Sequence, residues 1–163
     1  MATYHYNILL IPEGEALHKL CFSLSEDFEF WDYNWWNKTL SFDVIEPLLR
    51  QNLPNTEWSK EYSDLHQFGN DETNDITVSL VDEEFIENFH VRIDLRKIDQ
   101  NFIGLVMKIA AENECLLIDR QGNIFDPSIE KLKESIQKSS AYRFVSDPAS
   151  FLSGINAGEI KPE

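Results

Sequence analysis

Basic residues are scarce in this chain, and the few present sit mostly in its second half. Lys and Arg total 14 against 29 Asp and Glu, a formal net charge of −15. Residues 1–90 hold 18 acids and 4 cations, a net of −14, whereas residues 91–163 hold 11 and 10, a net of −1. Contacts to phosphate backbones or anionic lipid surfaces need clustered Lys and Arg. The acidic half has no such cluster, which argues against direct nucleic-acid or membrane binding. Glycine is scarce too, at 6 residues. Neither GxGxxG nor GxxxxGK[ST] is present, so the chain lacks a phosphate cradle. The 2 cysteines, Cys21 and Cys115, lie far apart among apolar neighbours. With no CxxC pair and no dense framework, they read as free buried thiols in a reducing compartment. Long apolar runs are missing: the longest near the N-terminus is Ile8–Ile11. The expectation is therefore no signal peptide, no spanning helix and a cytoplasmic location.

Catalytic and metal patterns are equally thin. The 4 histidines, His5, His18, His66 and His90, are scattered, and no HExxH occurs. His18 and Cys21 would share a helical face, but two ligands do not make a metal site. The oxygen-rich run Asp71–Asp75 lacks the spacing of a calcium loop. No GxSxG elbow is present; Cys21 has His18 nearby and Cys115 has no basic neighbour in sequence, and nothing in the pattern marks either as an activated thiolate, so both read as core cysteines. Acidic residues this dense form carboxylate pairs by chance. A non-enzymatic chain with no cofactor and no metal is the expectation.

What the chain does have is apolar and aromatic bulk. Hydrophobic residues make up 42% and aromatic residues 12%. A domain of this length buries about 70% of its unfolded surface, so residues 1–163 are read as one domain with a real core. Tyr4–Ile11 alternates and then becomes apolar on both faces, which predicts a central strand. Leu17, Leu20, Cys21 and Leu24 fit a helix or helical turn over 15–24, although Phe22, Leu24, Phe28 and Phe30 equally fit extended chain, and an aromatic loop or short strand over Phe28–Trp36 is expected to follow. Ser41 or Asp43 is placed to cap a helix reaching Asn52, with Pro47 tolerated if it falls in the first turn and kinking the helix otherwise, and Pro54 beyond its end. Asn55–Asp75 is polar and acidic and is assigned the longest loop. Ile76–Val81 and Phe85–Leu95 alternate and predict a hairpin. Asp99 is placed to cap a helix over Gln100–Asn113, followed by a buried strand Cys115–Asp119 and a short pairing segment Ile124–Phe125. Asp126-Pro127 is read as the start of the next helix, ending near Ser139. Tyr142–Val145 is read as a short strand, with a short helix after Asp147-Pro148. This order predicts an α+β fold: an antiparallel sheet with helices on one face, in ferredoxin-like βαββαβ order with extra C-terminal helices.

The segment Phe28–Trp36 concentrates Phe, Trp and Tyr with interleaved acids. Such residues either fill a core or anchor a protein contact. Glu26, Asp27, Glu29, Trp31, Asp32, Trp35 and Trp36 are the candidate partner-binding residues. In that reading the indoles anchor the contact and the carboxylates set its polarity. Arg92, Arg96 and Lys97 are candidates for reading a carboxylate or phosphate, or for pairing with the acidic half.

Four stretches share a further character: Phe89–Arg96, Ile109–Leu117, Gly122–Pro127 and Ala141–Pro148. Across residues 85–152 they resemble small uncharacterised bacterial α+β proteins, some of which are similar to acidic toxin-immunity proteins. The resemblance implies an α+β fold and transfers no catalytic residue. It suggests an acidic binding protein that meets a protein partner in the manner of an immunity or inhibitor protein, the partner being basic. Two other readings stand beside it. One is a small-ligand or enzymatic site between the sheet and residues 55–75 that uses His66, His90 or Arg92. The other is a structural subunit that dimerises through its aromatic segment or a sheet edge.

Overall fold

The computed structural model describes residues 4–14, 29–31, 33–56 and 58–157. Among these, the chain is α+β, with six antiparallel strands and five α-helices. The strands are β1 (His5–Pro12), β2 (Leu65–Gly69), β3 (Asp75–Val81), β4 (Phe85–Asp94), β5 (Cys115–Asp119) and β6 (Ile124–Phe125), in the spatial order β2-β3-β4-β1-β5-β6. The helices are α1 (Glu46–Asn52), α2 (Gln100–Glu112), α3 (Ile129–Lys138), α4 (Ser140–Ser146) and α5 (Pro148–Asn156). Two 3-10 turns, Phe42–Val44 and Trp58–Glu61, precede α1 and β2.

The centre of the sheet follows from the sequence. Strand β1 pairs with β4 on one side and β5 on the other, and its residues from His5 to Ile11 are buried. A strand covered on both faces must be apolar on both, as Ile8–Ile11 is. Registers Tyr6↔Ile93, Ile8↔Val91 and Val78↔Phe89 put these residues on one face with Ile76 and Phe68. Ser135 of α3 and the Phe42 turn before α1 both reach this face: Tyr6 donates to Ser135 Oγ at 2.6 Å, and Phe42 stacks on His66 and packs on Phe68. The other face carries Asn7, Thr77, Ser79, Asn88, His90 and Arg92. Both edges are restrained. Gly69 N–H donates to Pro54 O and Thr56 N–H to Gln67 O, so residues 54–56 line the outer side of β2. At the far edge β6 is only two residues long, and short or covered edges resist unwanted strand pairing.

Several expectations require correction. Residues 55–75 are not one long loop; they contain the Trp58 turn and strand β2. That strand has a single deeply buried side chain, Phe68, besides Gln67, so its alternation is faint in sequence. Tyr142–Val145 is helix, not strand: Ser139 Oγ accepts from Tyr142 N and starts α4, while Ala141 is buried and Phe144 packs edge-on against Phe151 of α5. Helix α3 is capped by Ser128, not Asp126. Neither Ser41 nor Asp43 caps α1, because the 3-10 turn intervenes and Ile45 takes the cap position. Asp99, by contrast, accepts from Asn101 N and Phe102 N, and Asp147 accepts from Ser150 N. The helix predicted over 15–24 lies outside the described residues, as does Cys21. Cys115 is buried and free, and burial pushes its thiol up to about 12; it is a core residue without nucleophilic character. Among the described residues no helix is long and apolar enough to cross a membrane.

Candidate functional site

A β-bulge shapes the most open part of the polar sheet face. Between β3 and β4 the register runs Ser79↔Asn88 and then Leu80↔Ile86, leaving Glu87 as the extra residue. Bulges re-aim side chains, and here Glu87 and Asn88 both line a cleft of about 400 Å3 with Trp31, Tyr33, Leu65, Thr77, Ser79 and His90. Trp31 forms one wall. Its indole stands edge-on to His90 at 5.6 Å and carries the Arg120 guanidinium 4.1 Å from a ring centroid on its face. Asn88 Nδ2 donates to Trp31 O at 3.4 Å. Gly122, in the turn after β5 beside the Phe30 ring, has φ +83°, a conformation that favours glycine.

The aromatic segment divides. Trp35 and Trp36 are buried at 3% and 1% exposure. Trp36 Nε1 donates to Leu10 O on β1, and Trp35 Nε1 donates to Phe30 O. With their N–H groups satisfied and their rings in the core, these two indoles are structural. Both stood among the candidate partner anchors, and here both rings are buried. Trp31 is half-buried, while Tyr33 is 39% exposed and stacks edge-on against Trp35. Glu29 is exposed. Glu26, Asp27 and Asp32 lie outside the described residues. The sequence reading passed over Tyr33 and Glu87, and also over the exposed pair Trp58 and Tyr62, whose rings meet edge-on at 6.1 Å. Glu87 is visible only once the bulge is known.

Negative charge gathers at the same end of the sheet. The β3–β4 turn holds Asp82, Glu83 and Glu84. Asp64 is tied to it through its carbonyl, which accepts from Leu80 N, and Phe42 N donates to Glu84 O, bringing Asp43 alongside. Ser63 Oγ donates to Glu83, and Lys38 pairs with Asp82. Asp82 and Glu83 have φ of +54° and +58°, and Asn37 and Lys38 on the adjoining turn have +42° and +60°. Left-handed conformations strain residues with a Cβ, and a β-turn whose two central residues both have positive φ favours Asn-Gly there. Replacing Asp82-Glu83 by Asn-Gly is expected to raise stability by about 0.5–1 kcal/mol, read as a higher urea midpoint at an unchanged slope. The natural residues thus keep charge at a position where conformation favours its removal.

The opposite end of the same face is closed by ion pairs. Arg92 Nε donates to Asp75 Oδ1 at 2.6 Å, and Gln67 Nε2 donates to Asp75 Oδ2 at 2.7 Å. Arg96 grips Asp94 with two parallel bonds and lies 3.5 Å from the Tyr4 ring centroid. Both arginines also donate to loop carbonyls, Arg92 to Asp71 O and Arg96 to Glu72 O. The carboxylates these arginines read are therefore internal. Arg96 holds the Asp94 carboxyl below the usual range against the opposing effect of burial. His5 is buried beside Tyr4, and burial, reinforced by Arg92, lowers its pKa.

The residues proposed for an enzymatic site do not converge. His66 stacks on Phe42 on the helix-bearing face, His90 lines the cleft on the other, and Arg92 is committed to Asp75. Between residues 55–59 and β2, the polar atoms of Asn55, Thr56, Ser59 and Gln67 satisfy one another. A buried Tyr6–Ser135–Asp119 chain runs across the sheet, but its serine donates to the carboxylate at 2.6 Å, and Asp119 also accepts from Gln121 N and Asn123 N. It clips β1, α3 and the β5–β6 turn together. Among the described residues no group of three or more His, Cys, Asp or Glu is placed to hold a metal ion. Comparison of the chain with protein-family models, curated proteins and solved structures finds no match.

Proposed function

We propose that this chain is a non-enzymatic acidic binding protein of the immunity or inhibitor kind, and that it meets a basic protein partner at the bulged end of the sheet. The observation behind this reading is one juxtaposition. Asp82, Glu83 and Glu84 of the β3–β4 turn, with Asp64 tied to β3 near it, lie at the end of the sheet where Glu87 lines an open cleft walled by Trp31 and Tyr33. Aromatic rings that are partly accessible and held in place supply anchors at low entropic cost, and a one-signed patch steers an oppositely charged partner toward them. Glu29 is exposed two residues before Trp31, and Trp35 and Trp36 act by fixing the segment that presents Trp31 and Tyr33. For the fold, we read β3-β4-β1-β5 with α2 as the ferredoxin-like core of the βαββαβ order, to which β2 and β6 are edge additions.

The test is capture from source-cell extract at low and high salt, followed by rate measurements on the purified pair. The association rate is expected to fall about tenfold between roughly 50 and 500 mM salt. Changing Asp82→Asn, Glu83→Gln and Glu84→Gln together is expected to flatten that dependence, and Trp31→Ala to speed dissociation. A rate indifferent to salt and to these charges removes the proposal.

A further inference from the structure

The helix layer carries a second concavity, separate from the cleft. A groove of about 530 Å3 runs between Leu95 at the end of β4 and helices α2, α3 and α4. Its walls include Ile103, Leu132, Ile136 and Val145, and its rim residues Ile98, Ile129 and Tyr142 are 44%, 41% and 40% exposed. The chain has 29 acidic residues, yet among the described residues none lines this groove, and the single charged lining residue among them is Lys133. The neighbouring Lys131 is paired with Glu134, whereas Lys133 has no ion-pair partner among the described residues.

Size and sign select the occupant. Stable protein interfaces engage about 20–30 residues a side; here 12 residues line the groove. Its volume falls within the roughly 300–1,000 Å3 of small-molecule sites, which combine apolar walls with a few polar groups. An ammonium at the edge of an apolar slot, with no carboxylate among the described lining residues, favours an anion carried on a hydrocarbon. We propose that this groove binds a free single-chain carboxylate amphiphile, with its acyl chain against Ile98, Ile103, Ile129 and Leu132 and its carboxylate on Lys133 Nζ.

Titration calorimetry on the whole chain tests this with laurate, dodecanol and dodecyltrimethylammonium, each kept below its micelle concentration. Laurate is expected to bind at least about tenfold more tightly than the ammonium amphiphile. Lys133→Met is expected to weaken laurate about tenfold and leave dodecanol unchanged. Ile129→Gln is expected to weaken both laurate and dodecanol. Both substituted residues are exposed, so the ligand-free melting temperature should stay at the parent value and serve as the folding control. Equal affinity for laurate and the ammonium compound, or a Lys133→Met variant that binds laurate as the parent does, overturns the proposal. So does binding that occurs only to oleate-containing phosphatidylcholine vesicles and never to free laurate, because the source would then be a membrane surface.

Discussion

Replacing Arg92 by methionine is expected to lower the stability of the fold by about 3–5 kcal/mol. The Asp75 side chain is 3% exposed and that of Arg92 20%. Asp75 Oδ1 receives Arg92 Nε, and its other oxygen receives Gln67 Nε2 and, more distantly, Thr77 Oγ1 at 3.3 Å. Methionine keeps much of the apolar stem but removes the only cation bonded to this carboxylate among the described residues, leaving a buried charge held by neutral donors alone. The same change frees Asp71 O and loosens the 70–74 turn. The measurement is the urea midpoint at constant slope. Adding Asp75→Asn to the variant is expected to recover a large part of the loss, because the uncompensated charge disappears with it. A single variant within about 1 kcal/mol of the parent would show that the pair is dispensable.

Acidification is expected to remove about 2–3 kcal/mol through His90. Burial, aided by Arg120 and Arg92 and opposed by Asp75, lowers its pKa from the ordinary 6.5 to about 4. The neutral ring is the form the fold accepts: it sits under Trp31 and its Nε2 bonds Asn7 Oδ1 at 3.1 Å. A folded pKa below the unfolded one means that the unfolded chain takes up the proton first. The contribution is therefore fully present above pH 6.5 and is lost as pH falls from 6.5 to about 4. His5 is shifted in the same direction and adds to the loss, whereas the Asp94 contribution is present above the ordinary carboxylate pKa and is lost as pH falls from that value through its lowered folded one. Urea unfolding at steps between pH 7 and pH 4 reads the slope. His90→Gln, which retains a donor toward Asn7, is expected to flatten it; an unchanged slope would place the acid sensitivity elsewhere.

How much of the fold was legible depended on how local its cause is. Strands β1, β3, β4 and β5 declared themselves by alternation or by a doubly apolar run, and Asp99 and Asp147 by capping chemistry, because each signal lies within a few residues of the element it makes. Strand β2 did not, since Leu65–Gly69 becomes a strand by pairing with β3 and burying Phe68. Helix α4 was misread because Tyr142–Val145 is rich in strand formers, and a serine cap with packing against α5 overrides that weak preference. The candidate site was legible in kind but not in membership. Aromatic and acidic residues mark the segment, but two of its tryptophans face the core, and Glu87 joins the cleft only through a bulge that depends on strand register.

Composition and periodicity by themselves determined that this chain is an acidic α+β protein with a substantial core, with no phosphate loop and no serine-elbow or zinc-helix motif. Those properties are sums or short-range patterns, and they survive without coordinates. The tertiary structure alone decided which indoles are sealed, which carboxylates share one end of the sheet, and that Arg92 and Arg96 are spent on internal partners. Each of these depends on which strands lie side by side. Contacts between residues far apart in sequence, such as Trp36 with Leu10 or Arg92 with Asp75, leave no periodic trace in the chain.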